Sequence, residues 1–170
     1  GAGDKAFVAG ADIAQMSDMD ARAATEFSAL GQELTEKIEN LPQLTIAKVQ
    51  GFALGGGCEL AMAADIIVAS TRARFGQPEV NLGLIAGFGG TQRLTDRVGL
   101  ALAIDILCGG RQLKGAEAAA HGLVARVVEP ELLDETVAKI IENTNKTGPH
   151  AITVSKSLAR ASCSKELHQG

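Results

Sequence analysis

Gly51-Phe-Ala-Leu-Gly-Gly-Gly-Cys-Glu-Leu-Ala-Met-Ala-Ala64 is the stretch that decides the fold. Three consecutive glycines, Gly55 to Gly57, end a loop, and residues 58–64 read as a short Ala-rich helix. Just upstream, residues 44–49 form a short apolar run rich in β-branched residues, which predicts a strand. Downstream, Asp65 leads into Ile66-Ile-Val-Ala69, a second strand. Strand, glycine turn, helix, strand is α/β grammar.

Working outward, residues 1–13 read as a strand end followed by a glycine-interrupted loop. Between about 17 and 41, Phe27, Leu30, Leu34, Ile38 and Leu41 recur at spacings of three and four, which predicts a helix stopped by Pro42. The stretch 75–90 reads as loop, with Pro78 and glycines at 76, 83, 87, 89 and 90. Helices are predicted over about 91–108 and 115–121, a strand over 123–128 and an amphipathic helix over about 130–145. Pro149 can open a last helix reaching about residue 161. No linker, repeat or low-complexity tract divides the chain, so 1–170 reads as a single domain.

Composition narrows the function. Hydrophobic residues make up 46% of the 170 and charged residues 21%, enough apolar material for a packed core. Aromatics are 3%, without Trp or Tyr, so no stacking platform for bases or glycans is expected. The net charge of −4 is dispersed, and no Lys/Arg run predicts a nucleic-acid partner. No apolar run approaches the length of a membrane-spanning helix, so no membrane partner is expected. Cys58, Cys108 and Cys163 are widely spaced with no CxxC pair, which points away from a disulfide framework or zinc site and toward a reducing compartment.

Several residues could carry chemistry. Glycines at a loop-to-helix junction let the backbone approach a ligand, and the unpaired N–H groups of the helix start suit an anion or a developing oxyanion. The same three glycines also serve a tight turn that packs the helix on its strand. The pattern is not a P-loop, since no Lys-Ser or Lys-Thr follows, and Gly87-Phe-Gly89-Gly90 has the wrong spacing for a dinucleotide fingerprint. Glu59 lies one turn into the apolar helix, and Glu79 follows Pro78 among small and apolar residues. Each could be a cap or ion-pair member. Facing each other, they would form an acid/base pair sharing a proton, with the helix start favouring ionised Glu59. His121, His150 and His168 are remote from both and read as surface or structural. Cys58 has no neighbouring His to activate it, and no GxSxG elbow is present.

Taken together, four ordered segments resemble the crotonase (enoyl-CoA hydratase/isomerase) family. They are Lys5-Ala-Phe-Val-Ala-Gly-Ala-Asp-Ile13, Gly51-Phe-Ala-Leu-Gly-Gly-Gly-Cys-Glu-Leu-Ala61, Phe75-Gly-Gln-Pro-Glu79 and Gly87-Phe-Gly-Gly-Thr-Gln-Arg-Leu94, with Ala119-Ala-His-Gly-Leu-Val124 further on. The resemblance implies an α/β spiral of ββα units and reversible hydration of a 2-trans-enoyl-CoA to a 3-hydroxyacyl-CoA. Glu59 and Glu79 would be catalytic, with a water between them. The N–H groups of Ala11 and Gly56 would form the oxyanion hole, and Gly87 would line the water pocket. Substrate would lie along the first loop at Ala9, Ala11, Asp12 and Ile13. Acyl-CoA is then the substrate, with no separate cofactor and no metal. Isomerisation or decarboxylation on the same fold is the alternative, as is a non-catalytic CoA-binding fragment. Isomerases and decarboxylases commonly lack the counterpart of Glu59, so hydration leads.

The resemblance also implies a homotrimer or hexamer, in the cytoplasm or the mitochondrial matrix. Two positions depart from the family pattern. Ala14 stands where many relatives carry a Lys for a CoA phosphate, and Ala86 where Pro is frequent. The N-terminal strands and the C-terminal helices used in trimer contacts are expected to lie outside this chain.

Overall fold

The computed structural model describes residues 1–165 of the 170, with side chains through Ser162. The Cys163 side chain and His168 therefore lie outside the described residues. In chain order the elements begin with β1 (Ala6–Val8), α1 (Ile13–Ser17), α2 (Ala21–Glu39), β2 (Ile46–Val49), β3 (Phe52–Leu54) and α3 (Gly56–Ala63). There follow β4 (Ile66–Ser70), β5 (Arg74–Gly76), a 3₁₀ turn (Pro78–Leu82), α4 (Gly90–Val98) and α5 (Leu100–Gly109). The chain continues through β6 (Gln112–Lys114), α6 (Gly115–Ala120), β7 (Arg126–Val128), a second 3₁₀ turn (Pro130–Leu132), α7 (Leu133–Asn145) and α8 (Pro149–Lys165).

The described strands make two sheets. One runs β1-β3-β5-β6, parallel except for antiparallel β5–β6, and the other runs β2-β4-β7, all parallel. Only Gln50 and Gly51 separate β2 from β3, so the chain turns a corner from one sheet into the other before entering α3. It repeats the move from β4 to β5. Each turn is thus strand, corner, strand, helix: a spiral of ββα units, as the family resemblance implies.

The corners stack on one another. Ser70 Oγ donates to Gln50 O at 2.7 Å, and Gln50 Nε2 donates to Ala6 O at 2.7 Å. Gly51 must be glycine, because a Cβ there would stand 2.0 Å from Lys5 O. Inside the spiral, Val49, Ala53, Ala61, Met62, Ile67, Phe75, Leu94, Ile106 and Leu113 form one buried core. A smaller cluster of Val68, Leu133 and Ile140 packs α7 on the outer sheet.

Four readings of the sequence change. Residues 52–54, read as turn, form β3, and the loop assigned to 75–90 contains the end of β5 and a 3₁₀ turn. The helix expected over 91–108 is two helices, broken at Gly99 with φ +81°. The strand expected over 123–128 is shortened to β7, because Leu123 N and Val124 N bond back to Ala118 O. Strands of three residues are too short to show a period.

Candidate active site

The site forms where α3 begins. Gly55, with φ +53°, turns the chain into the helix, and a Cβ on Gly57 would stand 1.9 Å from Val8 O. Small residues here bring α3 directly against β1, which carries the following loop toward the helix start. A Cβ built on Gly56 would stand 3.9 Å from Ala11 N, so those two backbone groups border one space. Among the described residues no hydrogen bond within the chain engages the N–H of Ala11 or of Gly56. The start of α3 adds its partial positive charge to the same place.

Glu59, one turn along α3, is 1% exposed. Its Oε1 accepts hydrogen bonds from Phe88 N and Gly90 N, both at 2.8 Å. The carboxylate therefore sits at the start of α4, whose first N–H groups lack partners within the helix. Burial pushes Glu59 above the usual carboxylate range, opposed by the Gly90 and Phe88 N–H groups and the Arg93 charge. Gly90 has no room for a side chain, since a Cβ there would meet Glu59 Oε1 at 2.7 Å.

Glu79 approaches from the first 3₁₀ turn. A Cβ on Gly55 would lie 3.0 Å from its Oε1. Burial is the main reason its carboxyl is raised to about 6; its own backbone N–H opposes the rise and the charge of Glu59 adds to it. Gln77, 1% exposed, spans the gap between the two acids. With its NH₂ turned toward Glu79, the Gln77 amide donates to both carboxylate oxygens at 2.9 and 3.1 Å. Its other end lies against Gly90, beside Glu59.

A clamp from α2 holds the turn that serves Glu59. Ser28 Oγ and Gln32 Nε2 donate to Gly87 O at 2.7 and 2.9 Å, and Thr35 Oγ1 donates to Phe88 O at 3.1 Å. The Phe88 ring lies between Gly31 and Gly56 and meets Phe27 edge-on at 5.4 Å. The backbone at Gly87 is thus tied down even with Ala86 where Pro is frequent.

Of the residues singled out in the sequence, Glu59, Glu79, Ala11 and Gly56 come together, with Gly87 at the edge of the same turn. Ala9 and Ile13 are exposed beside them. Asp12 caps α1, accepting from Ala14 N at 3.0 Å and Gln15 N at 3.3 Å. His121 and His150 are exposed on other elements. Cys58 is fully buried, and burial pushes its thiol up to about 12, which makes it inert as a nucleophile. Sequence reasoning placed Phe88 with Gly87 and Ile85 around the acyl pocket, but missed Gln77, Arg93 and the α2 clamp. Gln77 and Arg93 stood inside the quoted segments. Ser28, Gln32 and Thr35 gave no local signal, because their partners are more than fifty residues away.

The enoyl-CoA hydratase/isomerase family model matches residues 1–170. The chain belongs to that family. It is 47% identical over 156 residues to the short-chain-enoyl-CoA hydratase of Clostridium acetobutylicum, an alignment covering 92% of this chain and 60% of that protein. It is 50% identical over 159 residues to the crotonyl-CoA hydratase of Syntrophomonas wolfei, covering 94% and 61%. Among solved structures, the enoyl-CoA hydratase of Bacillus anthracis superposes with a TM-score of 0.92 at 37% identity, covering 98% of this chain and 65% of that one. The chain thus spans about three fifths of the length of these curated relatives. Among the described residues, no helix is long and apolar enough to cross a membrane.

Proposed function

We propose that this chain carries the catalytic centre for reversible hydration of a 2-trans-enoyl-CoA to a 3-hydroxyacyl-CoA. The observation that carries the proposal is the convergence of a buried carboxylate, Glu59, and a half-buried one, Glu79, on a helix start beside two unengaged backbone N–H groups. The thioester carbonyl accepts hydrogen bonds from Ala11 and Gly56. As charge develops on that oxygen, the donors and the α3 start stabilise it without reorganising; losing one such donor costs about 10²–10³ in rate.

Glu59, ionised with its Oε1 fixed by two N–H groups, takes a proton from water as the water oxygen bonds to C3. Glu79 delivers a proton to C2, and the reverse reaction exchanges the two roles. The raised Glu79 keeps a protonated fraction near neutrality; burial raises Glu59 as well, and its two N–H donors and Arg93 oppose that rise. The two groups titrate as a pair.

The CoA portion runs along the loop from Ala9 to Ile13. Acyl-CoA is the substrate, and no further cofactor enters the chemistry. The protein assembles as a homotrimer or hexamer and works in the cytoplasm or mitochondrial matrix.

The test is loss of the conjugated enoyl-thioester absorbance when the chain is mixed with crotonyl-CoA. Hydration that vanishes in Glu59→Gln supports the proposal. Faster turnover of a 3-enoyl-CoA than of a 2-enoyl-CoA would sink it in favour of isomerisation.

A further inference from the structure

Against the Phe88–Gly90 turn that serves Glu59 stands Arg93 of α4, its side chain 13% exposed. Each nitrogen of its guanidinium is used. Nη1 donates to Phe88 O at 2.7 Å, while Nε and Nη2 grip both oxygens of Glu39 at 2.9 and 2.7 Å. Phe88 is therefore held at both ends, its N–H by Glu59 and its carbonyl by Arg93. Gly89, with φ +92°, leaves the space the guanidinium needs, since a Cβ there would meet Nη1 at 2.3 Å. We propose that Arg93 is a positioning residue for Glu59: it fixes the turn that supplies both N–H donors and sets a positive charge near the carboxylate.

This rests on the hydratase reading, in which Glu59 must be ionised to activate water. The charge of Arg93 is among the influences that hold Glu59 down against burial. Glu59's own charge in turn raises Glu79, and both acids raise the inert Cys58. Facing Arg93 are Glu39 from α2 and, across Glu39, Arg160 from α8 at 2.9 Å. Glu36, Asp96 and Lys156 line the cleft of about 930 Å³ on whose wall Arg93 lies. Lysine could replace the charge but not three directed hydrogen bonds, so the two contributions are separable.

The test uses carboxyl-carbon NMR of glutamate-labelled chain, with the Glu59 signal assigned through Glu59→Gln, alongside crotonyl-CoA turnover. In Arg93→Met the Glu59 midpoint should move to higher pH. The acidic limb of kcat should follow it upward, because the base form is then lost at a higher pH. In Arg93→Lys the midpoint should stay near that of the parent, while kcat falls about tenfold or more from the loosened turn. Glu39→Gln, which loosens the fork but keeps the cation, should not raise the midpoint. Guanidinium ion should reach Arg93→Ala through the cleft and restore part of kcat.

An unmoved midpoint in Arg93→Met, or an equal rise in Glu39→Gln, would overturn the inference in favour of mere packing. If Arg93→Met does not fold, Arg93→Lys against Glu39→Gln decides: a raised midpoint or undiminished kcat in the lysine variant is the overturning result. A parent chain that hydrates nothing, yet whose Glu59 midpoint responds to Arg93, would sink the hydratase reading and leave the inference standing.

Discussion

Glu59 and Glu79 are both pushed up by burial, but only Glu59 has two backbone donors and a guanidinium to oppose it. Glu79 has its own N–H and the Gln77 amide, and it reaches about 6. Glu79→Gln keeps the shape and removes the transferable proton. Crotonyl-CoA turnover should fall by about 10²–10⁴, the usual worth of a positioned acid/base group. Binding of the acyl-CoA, read by calorimetry, should change little; near-normal turnover would remove Glu79 from the mechanism. The same residue makes a stability prediction of definite sign. A carboxyl whose folded pKa lies above its unfolded value contributes stability below the unfolded value, and that stability is lost as pH rises through the folded one. The parent should therefore lose stability to urea between roughly pH 4.3 and 6, by at most about 1 kcal/mol, because Glu79 is only half-buried and solvent screens it. Glu79→Gln should lack that decline and be the more stable protein at pH 7.

The element that governs the site most is α2, although it contributes no acid or base. Gly31 shows how it acts. In an exposed helix, replacing Gly by Ala gains about 1 kcal/mol of helix propensity. At Gly31 a Cβ would fall 2.0 Å from the Phe88 ring, which the Thr35 and Arg93 hydrogen bonds hold in place. Overpacking of this kind costs about 1–3 kcal/mol, so the clash outweighs the propensity. Gly31→Ala should lower the urea midpoint and also lower kcat, since the displaced ring drags the N–H groups from Glu59; a more stable variant with full activity would refute the clamp. Here the sequence was only partly legible. The period of Phe27, Leu30, Leu34 and Ile38 revealed α2, and the β-branched runs revealed β2 and β4. The glycine-rich segments located Glu59, Glu79 and the junction at Gly56. What could not be read was the meaning of Gly31, Ser28 and Thr35, because tertiary contacts across more than fifty residues give no local pattern. β3, β5 and β6 were equally silent, being three-residue strands set by corners rather than by periodicity.

At the scale of the whole molecule, α8 is held to the spiral by charge. Its Leu158 and Val154 are 67% and 41% exposed, which leaves Ile152 as its half-buried large apolar side chain among the described residues. Lys156 Nζ pairs with Asp65 at 2.8 Å and donates to Leu41 O and Gln43 O. Arg160 bridges Asp65 and Glu39 at 2.8 and 2.9 Å. Burial pushes Asp65 up, but hydrogen bonds from Lys156, Thr45 and Arg160 outweigh it and hold the carboxyl below its usual range. Glu39 is likewise held low by Arg93 and Arg160 against burial. The sign is opposite to that at Glu79: this stability is present above the ordinary carboxylate range and is lost as pH falls through the depressed values. Docking of α8 should thus resist mild acid that already protonates exposed carboxylates, and then fail together. Both side chains of the Asp65–Lys156 pair are only 9% exposed, so moderate salt should leave them paired. Removing one partner of such a pair strands the other, at a cost of about 3–5 kcal/mol. Asp65→Ala should therefore speed amide exchange across α8 by about 100-fold or more, as local opening becomes that much easier. Exchange in α3 and in the body of β2 and β4 should change far less, apart from the starts of the two strands, where Asp65 Oδ2 also accepts from Thr45 N and Oγ1 at 2.8 and 2.9 Å. If α8 exchange is unchanged in Asp65→Ala, the helix is docked by something other than its charges; if the whole spiral melts with it, α8 is part of the core rather than a tethered arm.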